Sequence, residues 1–310
     1  MMKKLNSKIK RTKHYDVIGG WIKFQLRAML HFFTNPMLYF KNLYWESRFK
    51  PKHFLSVVAI MKNEGPYLKE WIEFHRLVGV EKFYLYDNES TDNTKEILAP
   101  YIKKGIVEYT YFPGQKQQRP AYNDCIRRHK YDTKWLAIFD LDEFLVPVSF
   151  KNIPEFLKTQ PSGISQIVVA WVLFGSSGHK KKPEGLVVEN YKRRANKNNH
   201  HYKAIVNPRR VYSANVHGQV VFGKIVDTNG ESFHNMRHKA DPSYMAKIRI
   251  HHYAVKSLEE FAKRAGRGDA RFGAAKGLRR YSNDYFKSHD RNEVLDPIMD
   301  KWIKELKRKM

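Results

Sequence analysis

Three carboxylates, Asp140, Asp142 and Glu143, follow an apolar run in the segment WLAIFDLDEFLVP, residues 135 to 147. Such a run suits a buried parallel strand, and open α/β sheets bind ligands beyond the carboxyl ends of their strands, so these acids should line a cleft. On a continuing strand, Asp140 and Asp142 would face the same way and Leu141 would turn back into the protein. Two hard oxygen ligands on one side can hold Mg2+ or Mn2+, which keeps its other positions for water and phosphate oxygens. An isolated Asp-x-Asp triplet is often only a pair of surface acids or helix caps. Its place at a strand end, in a chain with 57 Lys and Arg against 31 Asp and Glu, favours chemistry over solubility.

The elements that must position these acids can be read from the pattern of apolar residues. FLSVVAI (54–60), KFYLY (82–86), IVEYTYF (106–112) and WLAIF (135–139) have strand character and alternate with amphipathic helical stretches. One helix carries Tyr67, Leu68, Trp71, Ile72, His75 and Val78 at helical spacing. A second runs from about Thr91 to Lys103 behind the N-cap candidates Ser90 and Thr91. A third begins near Pro120 and presents Tyr122, Cys125 and Ile126 on one face. Alternation of this kind predicts a parallel sheet with crossover helices. Beyond Val146 the pattern loosens into SQIVVAWVLF (165–174), GLVVENY (185–191) and AKIRIHHY (246–253), read as strands of an antiparallel or mixed extension of the same sheet. Ser257 and Glu260 form a capping-box pattern that opens a further helix. The closing helix, 296 to 310, is amphipathic and basic, and suits either packing on the domain or a membrane surface.

The net charge of +26 calls for anionic partners, a condition met by nucleic acid, lipid headgroups and phosphorylated substrates alike. Cys125 is the only cysteine, so the chain has no internal disulfide and no cysteine-based zinc site, and a reducing compartment fits it best. Residues 1 to 52 hold twelve Lys or Arg against Asp16 and Glu46 alone and form a basic amphipathic leader. Its stretch from Ile18 to Phe33 is too short and too polar to span a bilayer. The expected location is cytoplasmic, with the leader peripheral at the inner face of the plasma membrane.

Residues 54 to 147 resemble the nucleotide-binding half of GT-A glycosyltransferases, in particular family 2 and family 92-like enzymes. The matching pieces are KNEGPYLKEWIEFH (62–75) after the first strand, YDNESTDNT (86–94) after the second, and DLDEFL (140–145). The resemblance continues through WVLFGSSGH (171–179) and IHHYAVKSLEEF (250–261), to about residue 265. It implies an α/β GT-A fold over residues 53 to 265. A Rossmann-like nucleotide-binding half would occupy 53–147 and a mixed-sheet acceptor half 148–265, between basic helical ends at 1–52 and 266–310.

The roles that this resemblance implies can be named one residue at a time. Ala59, Asn63, Glu64 and Asp87 would embrace the nucleoside, with Asn88 and Asp92 as secondary candidates. NESTDN also suits a plain turn and helix cap. Asp140 and Asp142 would hold the Mn2+ or Mg2+ that bridges the donor diphosphate, Asp140 also bordering the nucleotide, and His252 would complete the metal set with His251 as its alternative. Inversion at the anomeric centre needs a base, for which Glu184, Asp227, Glu231 and Asp241 are candidates, while Glu143 lies too close to the metal pair. The loop FGSSGHKKKPEG (174–185) suits a cationic lid or a solvent-exposed hairpin. Lys192, Arg193, Arg194, Lys197, Lys203, Arg209 and Arg210 suit an acidic acceptor or a phospholipid surface. The activity implied is transfer of a hexose such as galactose from a UDP-sugar to a glycan or lipid-linked acceptor in surface polysaccharide or lipopolysaccharide biosynthesis. The competing functions are a nucleotidyltransferase, which would need a further acid for a second metal, and a nucleic-acid-binding protein, for which no recognition motif is visible.

Overall fold

The computed structural model describes residues 50–233, 242–267 and 282–310. The first half runs as β1 (His53–Met61), α1 (Gly65–Leu77), β2 (Lys82–Asp87), α2 (Thr94–Lys103), β3 (Val107–Tyr111), α3 (Gln118–His129) and β4 (Thr133–Ile138). These four strands are parallel and lie in the order β3, β2, β1, β4. The chain therefore reverses its winding between β1 and β4, and the crevice beyond the carboxyl ends at such a switch point is where α/β sheets take ligands.

β1 is covered on both faces, which is why it reads as one apolar run. Leu55, Val57, Ala59 and Met61 belong to the larger core with Leu68, Trp71 and Phe74 of α1, whereas Val58 and Ile60 face a second core with Tyr122, Cys125 and Ile126 of α3. Cys125 is fully covered there. α1 has a proline in its first turn, where no N–H is missed. It gives way to Gly79 at φ +100°, where a Cβ would lie 2.5 Å from Cδ of Pro154.

The second half contains β5 (Glu143–Pro147), α4 (Ile153–Lys158), β6 (Ile164–Leu173), α5 (Val187–Asn190), β7 (Arg193–Arg194) and β8 (Tyr202–Val206). It continues with β9 (Val211–Ser213), β10 (Val220–Val221), β11 (Lys224–Asp227), β12 (Ile248–His252), α6 (Leu258–Arg267), α7 (Asn283–His289), β13 (Val294–Leu295) and α8 (Asp300–Lys309). β8 pairs antiparallel with both β4 and β6, β12 runs parallel to β6, and β5 closes the order antiparallel to β12. With β11 alongside β6, nine of the described strands form one mixed sheet, the architecture expected from the sequence.

One expectation changes, and contacts bear on two alternatives that the sequence left open. GLVVENY is not a strand: its centre is α5, because the Glu70 carboxylate accepts the N–H groups of Val187 at 2.8 Å and Val188 at 3.0 Å and so caps a helical turn. The loop at 174–185 is tied down rather than free. Ser176 and Ser177 donate their N–H groups to Asp290 and Asn292, and Lys182 donates its own to Glu259. The closing helix packs on the domain, with Trp302 edge-on to Phe74 at 5.3 Å and Leu306 fully buried. Among the described residues no helix is long and apolar enough to cross a membrane. The basic leader lies outside the described residues, apart from its last three positions.

Candidate functional site

β4 stops at Ile138, and residues 139 to 142 form a turn closed by the bond from Glu143 N–H to Asp140 O at 3.1 Å. Strand alternation therefore does not govern the acids, and Asp140 and Asp142 look at different partners. Asp140 accepts from Nε2 of Gln118 at 2.8 Å, the hydroxyl of Tyr122 at 3.0 Å and Nζ of Lys203 at 2.8 Å. Asp142 accepts from Arg264 and lies 3.2 Å from Nε2 of His252.

The pairing of β5 with β12 sets His252 directly opposite Glu143, on the same face of the sheet. Ligand atoms of Asp142, Glu143 and His252 consequently lie within 4.8 Å of one another, all buried. Asp142 and His252 of the metal set read from the sequence are thus brought together with Glu143, while Asp140 is bonded to Lys203 beside them. Oε1 of Glu143 and Nδ1 of His252 are buried without a hydrogen-bond partner, Oε1 lying 3.6 Å from Nζ of Lys203. Two carboxylates and an imidazole are an acceptable donor set for manganese, so the residues fit the ion that the sequence implied. His251 faces the other way, accepting from Nε of Arg249 at 2.9 Å and stacking on Phe174.

The charges in this cluster are strongly coupled. Burial opposes ionisation of Asp142, but Arg264 and His252 beside it hold its carboxyl well below the usual range. Burial pushes Glu143 well above the usual range, and the neighbouring Asp140 and Asp142 add to this against the pull of Lys203. Burial also lowers His252, so its imidazole is neutral and free to ligate. Lys203 is 1% exposed and stays charged, because the carboxylates of Asp140 and Glu143 outweigh its desolvation. Burial thus removes Lys203 from the surface cations expected to meet an acidic acceptor.

On the other side of the crevice the loops after β1 and β2 are stitched together. Asn63, at φ +51°, donates its N–H to Oγ of Ser90 and accepts from the N–H of Thr91. Asp87 is buried and accepts from Ser90 N–H at 2.9 Å and the Tyr109 hydroxyl at 2.7 Å. Asn88 donates to the carbonyls of Phe112 and Gly114, and Asp92 accepts from Gly65 N–H at the start of α1. Glu64 is buried just before that helix. Ala59 is set back inside β1 with its methyl fully covered in the core, so its side chain serves packing.

Of the base candidates, Asp227 and Glu231 lie on a turn away from the acids. Glu184 is exposed on its loop. Asp227 closes a turn by accepting the N–H groups of Asn229 and Glu231, and Glu231 is exposed on that turn. Along β6 Asp227 lies opposite Val168 whereas His252 lies opposite Leu173, a separation of roughly 16 Å at the usual strand rise. Asp241 lies outside the described residues. Beside Asp140 opens a cleft of about 600 Å3, lined by Lys116, Gln118, Arg119, Pro120, Asn123, Asn215 and Val216. The bonds that Gln118, Tyr122 and Lys203 make to Asp140, and Arg264 to Asp142, escaped sequence reasoning because only tertiary contact distinguishes these residues from other polar ones.

Comparison with known proteins bears on this site. A glycosyltransferase family 92 protein of Ricinus communis is 28% identical over 165 residues, which are 52% of this chain and 30% of the relative. A galactan beta-1,4-galactosyltransferase of Arabidopsis thaliana is 28% identical over 207 residues, 60% of this chain and 36% of that protein. The chain thus spans about a third of the length of these relatives. Among solved structures, S. aureus TarS in complex with UDP has a TM-score of 0.35 at 12% identity, covering 50% of this chain and 47% of that one, a likeness too slight to bear on the site. The model of glycosyltransferase family 92 matches residues 57–269. With more than half of its length in that match, the chain belongs to glycosyltransferase family 92.

Proposed function

We propose that this chain is a metal-dependent hexosyltransferase, taking a sugar such as galactose from a UDP-linked donor to a glycan or lipid-linked acceptor with inversion. The observation that carries the reading is the convergence of Asp142, Glu143 and His252 at the strand ends of a family 92 chain. The Arabidopsis relative's being a galactan beta-1,4-galactosyltransferase supports galactose as the first sugar to try. Asp142, Glu143 and His252 would hold the ion. A divalent ion bound there would supply positive charge to the departing diphosphate and so would lower the barrier of a transfer through an oxocarbenium-like state. Asp140 is oriented by Gln118, Tyr122 and Lys203 to border the nucleotide. The stitched loops carrying Asn63 and Asp87 form the wall for the nucleoside. We extend the proposal to a cytoplasmic, membrane-peripheral location and a role in surface polysaccharide synthesis, which the net charge of +26 supports.

The test is calorimetry of UDP with and without Mn2+, followed by turnover of a panel of UDP-hexoses with the anomeric product read by NMR. Asp142→Asn and His252→Ala should lose the Mn2+-dependent part of UDP binding and all turnover while keeping the wild-type circular dichroism. Near-wild-type turnover in either variant with Mn2+ present would reject the site.

A further inference from the structure

The turn that follows β12 holds a lysine in a conformation and an environment that packing does not explain. Lys256 has φ +52°, in the left-handed region that a residue with a Cβ enters only under constraint. It is 7% exposed, and its ammonium lies 4.1 Å from the centroid of the Tyr67 ring. Among the described residues, no hydrogen bond and no ion pair is made by that ammonium. Lys203, buried to a similar degree, is bonded to Asp140 and to the carbonyl of Val216. The Lys256 ammonium instead has the face of the Tyr67 ring, with Glu64 and Glu260 nearby but in no ion pair with it.

The constraint on this turn is imposed by its neighbours. Glu260 accepts from the N–H of Ser257 at 3.2 Å, the hydroxyl of Tyr67 at 2.7 Å, and the hydroxyls of Ser257 and Tyr191. At the other end, the N–H of Tyr253 is bonded to the carbonyl of Asp142. Glycine would take the Lys256 conformation without strain. A lysine thus stands where the backbone would favour glycine, and its ammonium is the group with chemistry to offer. It shares an electrostatic neighbourhood with Glu64, Arg264, Asp142 and Glu260, and Lys182 of the tied-down loop reaches the same Tyr67 ring at 5.1 Å.

We propose that Lys256 is the phosphate-receiving residue of this site, its ammonium taking the terminal phosphate of the donor's nucleoside diphosphate. This rests on the donor reading above and deepens it. In the transfer, the bond from the sugar's anomeric carbon to the terminal phosphate oxygen breaks, and its electron pair stays on that oxygen. The acceptor oxygen bonds to the anomeric carbon and releases its proton to a base or to water. Lys256 gives up no proton. It stabilises the charge that collects on the phosphate, which makes it a catalytic residue by contact with the leaving group.

The experiment compares UDP with UMP as calorimetric probes, in Mn2+, on the full chain and on the Lys256→Gly and Lys256→Met variants. The wild type should prefer UDP. Both variants should lose at least about tenfold in UDP affinity, consistent with loss of a charge-assisted contact, while UMP affinity stays within about twofold. Without nucleotide, Lys256→Gly should melt no lower than the wild type, since it relieves the backbone. Lys256→Met keeps the stem over Tyr67 and separates loss of charge from loss of packing. Variants that keep the wild-type preference for UDP over UMP overturn this assignment and leave the donor reading standing. A lower melting point for Lys256→Gly together with wild-type UDP binding by Lys256→Met makes the lysine structural and also overturns it. A wild type that binds UDP no better than UMP rejects the donor reading and this assignment together.

Discussion

Replacing Lys203 with methionine should cost stability in a way that depends on Asp140 and on pH. The ammonium is 1% exposed, 2.8 Å from Oδ2 of Asp140 and 3.6 Å from Oε1 of Glu143. Removing one partner of a buried pair typically costs about 3 to 5 kcal/mol, mostly from the uncompensated charge left behind. The side chain of Asp140 is 29% exposed and keeps Gln118 and Tyr122, so the lower end applies, about 3 kcal/mol at pH 7. The deficit should shrink as the pH falls. Lys203 helps to hold Asp140 below its ordinary 3.8 against burial, so its contribution is present above that value and is lost as the carboxylates protonate. Urea unfolding of the wild type, Lys203→Met, Asp140→Asn and the double variant would measure this, with the double variant recovering at least about 1.5 kcal/mol relative to the sum of the singles. Additivity at pH 7, or a Lys203→Met deficit that grows toward pH 4, would refute the argument.

Other consequences are open to direct measurement. Asp87→Ala should weaken UDP binding in calorimetry, and an unchanged affinity would return Asp87 to closing the turn at Ser90. Trp302→Ala should destabilise the chain by about 3 kcal/mol in urea, because it empties the contact between α8 and α1; a cost under about 1 kcal/mol would mean that α8 is not part of the core. Burial raises the carboxyl of Glu70 from 4.5 to about 7, so this group should make stability fall by about 3 kcal/mol as pH rises across that interval. Glu70→Gln should flatten that slope, and a slope of wild-type steepness in the variant would show that the carboxyl is already ionised at low pH.

The parallel half was legible because its strands are buried on both faces, so that FLSVVAI and WLAIF appear as unbroken apolar runs. The acids at the end of β4 were legible for the same reason. Their grouping was not, since it depends on a turn at 139–142 and on the register that sets His252 against Glu143, neither of which leaves a local pattern. Val187 and Val188 read as strand from their β-branching, and only a carboxylate more than one hundred residues away makes them helical. Lys203 read as a surface cation because its sequence neighbours are basic. Its place on β8, between β4 and β6, is what buries it. Asp227 looked available as a base, but a carboxylate that ends a strand can also close the turn behind it, and here it does so.

Cys125 supplies a reporter that needs no engineering. It is the chain's single thiol, fully covered between α3 and the sheet, and burial pushes it well above its ordinary value, with Glu108 and Asp124 adding to the effect. Such a thiol is inert until the structure around it opens. The rate at which a thiol reagent labels the native chain therefore reads the opening of α3 from the sheet, one local event among those that make up unfolding. Because α3 also carries Gln118 and Tyr122 against Asp140, ligands that order the nucleotide side of the crevice should slow the labelling, and a plate reader could follow their binding with no label on the ligand.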